Sequence, residues 1–189
     1  MSQKRQEIIK IAAALIESKG YENTKLSDIL EAAAIGKGQF YHYFSSKHEL
    51  GLEVLDYFYE IFDREVLEGI LSSKKSPEAK INEMLQWVLE NHTSKQARCG
   101  CIFGNIALEL SEHDPAFSKK VREVFDKWID KLSIVLEEMA RGKEGSSCVE
   151  VAQGVVALIE GGIMIMKNKQ DIKVLEDILT LARRMIATS

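Results

Sequence analysis

The sequence predicts an all-α chain, and three observations carry that prediction. Apolar residues recur at helical spacing along most of the 189 positions, only two prolines occur, and almost no stretch alternates apolar with polar residues. Start and stop signals mark about nine helices. The first three form a compact N-terminal group, so the expected domains are residues 1–48 and 49–189. A hydrophobic content of 46% is enough to bury a sizeable core.

Ile8, Ile9, Ala12, Leu15 and Ile16 make one face of a first helix, which Gly20 ends. Thr24 can cap a second helix carrying Leu26, Ile29, Leu30 and Ala33. After the tight connection Ala34-Ile35-Gly36 comes a short third helix, "GKGQFYHYF". Ser46 and Glu49 have capping-box spacing and start a long fourth helix running to about Leu71. Ser76-Pro77 starts a fifth, and Asp114-Pro115 repeats the device. Between them "CGCIFGNIALEL" reads as a helix. Phe117, Val121, Val124, Phe125, Trp128, Ile129 and Leu132 trace a long amphipathic one, closed by the loop "RGKEGSS".

Residues 149–166 are apolar nearly all round, whereas Leu175, Ile178, Leu179, Ala182, Met185 and Ile186 form a single stripe. Glu160 interrupts the most apolar stretch, residues 151–166, which falls short of the roughly 20 residues of a membrane span. No membrane association is expected. Gly154, Ala157 and Gly161 form a strip of small residues. Together with Leu175, Ile178, Leu179 and Ala182 they suit either the centre of a monomeric bundle or a dimer interface built as a four-helix bundle.

The net charge of −4 provides no global field for nucleic acid, so any DNA contact needs a local patch. Residues 1–50 carry seven Lys or Arg against six Asp or Glu, and the remainder eighteen against twenty-three, so the asymmetry points N-terminal. Charges in "MSQKRQEIIK" break the apolar run a secretory leader needs, so no signal peptide and a cytoplasmic location are expected. Three cysteines, an odd number, argue against a disulfide framework. No nucleophile elbow, phosphate loop, dinucleotide fingerprint or His pair at metal spacing occurs, so neither an enzyme nor a cofactor or metal site is expected.

On the short third helix Phe40, Tyr43 and Phe44 share an inward side, leaving Gly38 and His42 opposite, flanked by Gln39 and Tyr41. A glycine inside a short helix costs about 1 kcal/mol relative to alanine, which close approach to another surface would offset. Helix, three-residue turn and helix match a helix-turn-helix, whose second helix enters the major groove. Gln pairs bidentately with adenine, Tyr and His reach phosphates or base edges, and Lys37 and Lys47 bracket the helix as phosphate neutralisers.

Residues 5–50, with "KGYENT", "LSDI", "GKGQFYHYF" and "SKHEL" in order, resemble the DNA-binding domain of the TetR family of bacterial transcriptional repressors. The resemblance implies a homodimer that binds a palindromic operator in double-stranded DNA and is released by a small molecule in the C-terminal domain. By position it implies DNA contacts at Thr24, Lys25, Lys37, Gly38, Gln39, Tyr41, His42 and Lys47, with Tyr43 a weaker one. Ala34 stands where family members usually place Gly, and Gly36 where they place Ser or Thr.

In the second half Trp87, Phe103, Phe125, Trp128 and Met164 supply apolar pocket material, with Asn105, Glu109 and Glu160 as polar anchors. Cys99-Gly100-Cys101 has three open readings: small buried hydrophobes, a metal pair with His92 or His113 that lacks zinc spacing, or a reactive thiol at a helix N-terminus. "GCIFGNIALELSEHDPAFSKKV" is similar to the N-ethylmaleimide-reductase repressor subgroup of the family. That similarity implies Cys101 as an electrophile or redox sensor with Cys99 as resolving partner. A helical protein-interaction module and a thiol-based redox protein are the alternatives on the residues alone.

Overall fold

The computed structural model describes residues 2–140 and 147–188, and every regular element among them is helical. Most of the loop "RGKEGSS" therefore lies outside the described residues. Nine α-helices are present among the described residues: α1 (Gln3–Lys19), α2 (Leu26–Ala32), α3 (Lys37–Tyr43), α4 (Lys47–Phe62), α5 (Pro77–Thr93), α6 (Ile102–Leu110), α7 (Pro115–Met139), α8 (Cys148–Lys169) and α9 (Ile172–Thr188).

The chain forms two compact units that are not contiguous in sequence. One contains the chain through Ile61 together with Ile102–Arg122; the other contains Phe62–Cys101 and the chain from Glu123 on. In the first unit Ile8, Ala12 and Ile16 of α1 and Ile29, Phe40, Phe44, Leu50 and Phe117 are all essentially without solvent contact. Phe40 and Phe44 stack at 5.6 Å, and the Arg5 guanidinium lies 4.7 Å over the Phe44 ring while donating to both Glu53 oxygens at 2.7 and 2.9 Å. Burying rings of this size contributes about 1.5–3 kcal/mol each.

Helix starts follow the capping signals. Ser76 accepts the Ala79 amide ahead of Pro77, Asp114 accepts the amides of Ala116 and Phe117, and Ser46 accepts that of Glu49. Helix α2 departs from expectation. Its cap is Lys25, whose amide donates to Asp28, because the Thr24 hydroxyl is buried and donates to the Gly20 carbonyl at 2.7 Å.

The long fourth helix also departs. It is α-helical only to Phe62, and Asp63–Leu71 wind as a π-helix, closed by the five-residue bond from the Ser72 amide to Leu67 O at 3.0 Å. In the second unit Phe62, Trp87 and Trp128 form an aromatic cluster, with Phe62–Trp128 centroids 5.1 Å apart. Helix α8 runs 22 residues, longer than its apolar window, and by length and composition could cross a bilayer. Here it packs along α9: a Cβ at Gly162 would sit 2.8 Å from Ile178, and one at Gly154 would sit 3.3 Å from Met185.

The turn between α2 and α3 ends α2 with Ala33 as cap and Ala34 in the left-handed region, φ +51°, while the Ile35 amide returns to Leu30 O at 3.0 Å. This is the Schellman closure that usually takes glycine. An L-residue there costs about 1–2 kcal/mol, partly offset by the smaller unfolded-state entropy of alanine. Ala34→Gly should therefore stabilise the protein by about 0.5–1 kcal/mol, read as a higher midpoint in thermal unfolding.

Candidate nucleic-acid interface and thiol site

Helix α3 is amphipathic over seven residues. Phe40 is buried, while Lys37, Gly38, Gln39, Tyr41 and His42 are exposed and Tyr43 is half-buried against His42, with ring centroids at 4.9 Å. Tyr41 leaves 54% of its surface open although its ring touches Phe40 edge-on. A Cβ at Gly36 or Gly38 would meet nothing within 4 Å, so neither glycine is required by packing inside the chain. Five side chains or backbone positions thus lie together on one open face, with hydrogen-bonding groups suited to phosphates and base edges.

The remaining predicted contacts divide. Lys25 is exposed at the start of α2. Thr24 faces inward and steadies the loop through Gly20, so its hydroxyl is not on the open face. Lys47 donates to Tyr21 O at 2.7 Å and lies 4.2 Å over the Tyr21 ring; partial burial pulls its ammonium pKa below the ordinary value. Burial, then Asp114, pushes Tyr21 up to about 12.

A clamp that sequence reasoning missed surrounds this loop. Phe117 packs on Tyr21 and His48 at 4.9 and 5.3 Å, Asp114 pairs with His48 at 2.8 Å, and Glu109 accepts the Glu22 amide at 2.9 Å. The contacts join residues 66 and 87 positions apart, so no local pattern announces them. Asp114-Pro115 was legible as a cap; its second bond was not.

The effector candidates fall in both units. Trp87, Phe125 and Trp128 belong to the second unit, where Trp87 Nε1 donates to Glu65 and Trp128 Nε1 to Met84 Sδ. Phe103, Asn105 and Glu109 belong to the first, and Met164 is 59% exposed. A groove of about 280 Å³ between α1 and α4, lined by Gln6, Ile9, Lys10, Glu53, Asp56, Tyr57 and Glu60, contains none of them. Among the interface candidates, Leu175, Leu179 and Ala182 are already covered within the chain, as is Gly154 by Met185. Ile178 lies against the Gly162 backbone. The open positions are Ala157 and Gly161, with Val149, Met164, Ile165 and Leu181 exposed beside them on α8 and α9.

Cys99, Cys101 and Cys148 are not in disulfides and are partly exposed. Cys101 immediately precedes α6 and hydrogen-bonds Glu160, a carboxyl carried by apolar α8. Burial raises Glu160 to about 7 against the opposing bond from Cys101, and its Oε1 is buried without a hydrogen-bond partner. Among the described residues no group of three or more His, Cys, Asp or Glu is placed to hold a metal ion.

A three-helix head that buries one face of its last helix and opens a polar face on the other defines a helix-turn-helix regulator. Residues 8–54 match the family model for bacterial regulatory proteins of the tetR family, and residues 77–180 match the C-terminal domain of LmrA/YxaF-like transcriptional regulators. The chain belongs to the TetR family. It is 37% identical, over 91% of its length and 87% of the relative's, to an HTH-type transcriptional regulator in the lacX 3' region of Lactococcus lactis. It is 24% identical to the HTH-type transcriptional repressor NemR of Escherichia coli K12, over 97% of this chain and 94% of NemR. A regulatory protein TetR from Rhodobacter sphaeroides shares the fold at TM-score 0.87 and 24% identity, covering 97% of this chain and 99% of that one.

Glu160 has a measurable consequence for stability. Its folded pKa of about 7 lies above the ordinary 4.5, so the folded state binds the proton more tightly. The stability this provides is complete below the unfolded value and is lost as pH rises to about 7, an effect of about 3 kcal/mol. Glu160→Gln should gain about 2 kcal/mol over the wild type at pH 8 and nothing at pH 4, as read by urea unfolding at both.

Proposed function

We propose that the protein is a cytoplasmic, homodimeric transcriptional repressor. In this reading α3 lies in the major groove of a palindromic operator, and a small molecule in the C-terminal half causes release. The observation that carries it is the open face of α3, where Lys37, Gly38, Gln39, Tyr41 and His42 stand opposite buried Phe40. Lys25 and Lys47 flank that face as phosphate contacts, with Tyr43 at its edge. The two Cβ-free positions on and before α3 leave room for a DNA backbone at close range.

Dimerisation uses the uncovered strip of α8 and α9, Ala157, Gly161, Met164, Ile165 and Leu181, against the same strip of a second copy. Two recognition helices then read half-sites about 34–36 Å apart. A ligand that prefers another spacing weakens DNA binding by its differential affinity, about 1–3 kcal/mol of coupling. The DNA-binding domain is assigned to residues 1–48 and the effector and dimerisation domain to 49–189.

Selection of bound sequences from a random DNA pool at fixed salt tests the reading. The wild type should enrich a palindrome. Gln39→Ala and Tyr41→Ala should weaken binding to it by about 1–3 kcal/mol and relax one position of each half-site. Lys37→Ala should weaken all sequences alike and flatten the salt dependence by about one unit of slope. Absence of any enriched sequence would refute the proposal.

The inducer class in this reading is an electrophile, sensed at Cys101. The partly exposed thiol just before the N-terminus of α6 supports addition to an electrophilic carbonyl compound as the releasing event. Cys101→Ser should retain operator binding and no longer release DNA when such a compound is added, in a gel-shift titration. Release equal to that of the wild type would move sensing away from this residue.

A further inference from the structure

Within the first unit, the loop Gly20–Lys25 is held from three directions. From inside, the Thr24 hydroxyl donates to Gly20 O at 2.7 Å; from α4, the Lys47 ammonium donates to Tyr21 O at 2.7 Å; from α6, Glu109 accepts the Glu22 amide at 2.9 Å. The approach of Glu109 is so close that a Cβ at Gly20 would lie 2.5 Å from its Oε1. Gly20 itself has φ +88°, a conformation that L side chains rarely adopt, so loop shape and carboxylate position depend on one another.

We infer that Glu109 is a positioning residue for DNA binding: its carboxylate clasps the Gly20–Glu22 backbone and so sets the placement of Lys25 and Lys47 beside the recognition helix. The inference rests on α3 being the DNA-reading helix. Lys25 follows the clasped segment directly as the cap of α2, and Lys47 is tethered to it at Tyr21. The Glu109 charge also favours the charged form of Lys47.

The sign of the effect separates this role from plain electrostatics. Glu109 is an anion beside a proposed phosphate-binding lysine, so simple charge removal should tighten DNA binding. Loss of the clasp should weaken it. Glu109→Ala should therefore bind the selected operator about tenfold more weakly, with a salt slope flattened by about one to two units as Lys25 and Lys47 lose their placement on phosphates. Glu109→Gln keeps an acceptor for the Glu22 amide and should bind within about threefold of the wild type or more tightly.

Amide hydrogen exchange supplies a readout independent of DNA: the Glu22 amide should exchange faster in Glu109→Ala and near the wild-type rate in Glu109→Gln. Wild-type affinity in Glu109→Ala, equal weakening in both variants, or an unchanged Glu22 exchange rate would each overturn the inference. Wild-type protein that selects no operator would overturn the reading of α3, and this inference with it.

Discussion

The ring of Phe117 is the contact on which the first unit depends. It is fully buried, meets Tyr21 from the α1–α2 loop and His48 from α4, and lies so close to Gly51 that an added Cβ would be 2.8 Å from its Cζ. Gly51 sits inside α4, where glycine costs about 1 kcal/mol against alanine, and the burial of a phenylalanine ring more than offsets this. Asp114 completes the corner. Burial pushes its carboxyl up, but the Phe117 amide, His48 and the Ala116 amide together hold it below the ordinary carboxylate value. One residue thus caps α7 and anchors it on α4, which fixes Phe117 in place.

That corner explains why two compact units interleave in sequence. Helix α6 and the first turns of α7 lie within the region matched by the C-terminal family model, yet they belong with the N-terminal helices by contact. Cys101 immediately precedes α6, and Glu109, seven residues into that helix, grips the α1–α2 loop.

What the sequence disclosed was mainly which side chains are covered. Phe40 and Phe44 read as an inward face and are one, and the exposed set on α3 follows from the same 100° step. Caps at Ser76 and Asp114 were equally legible because each is a local bond. Hydrophobic spacing does not say which surface does the covering. Leu175, Leu179 and Ala182 suited a second copy as well as they suit α8 of the same chain, and only the backbone path decides. Thr24 had the residue type of a cap, but buried beneath Gly20 its hydroxyl found a nearer acceptor.

The π-helical segment Asp63–Leu71 was hidden for a different reason. Val66, Leu67 and Leu71 are buried, at a spacing that a π-turn and an α-turn both satisfy. The wider turn must therefore be held from outside the segment, and it is. Trp87 Nε1 binds Glu65 at 3.0 Å, and Lys131 binds Glu68 at 2.9 Å and Ser72 Oγ at 2.8 Å. Gly69 makes the narrowest point passable, since a Cβ there would stand 2.6 Å from the Arg64 carbonyl. The register of this helix is thus set by α5 and α7 as much as by its own sequence. Through the unbroken chain it continues α4, whose first residue is Lys47.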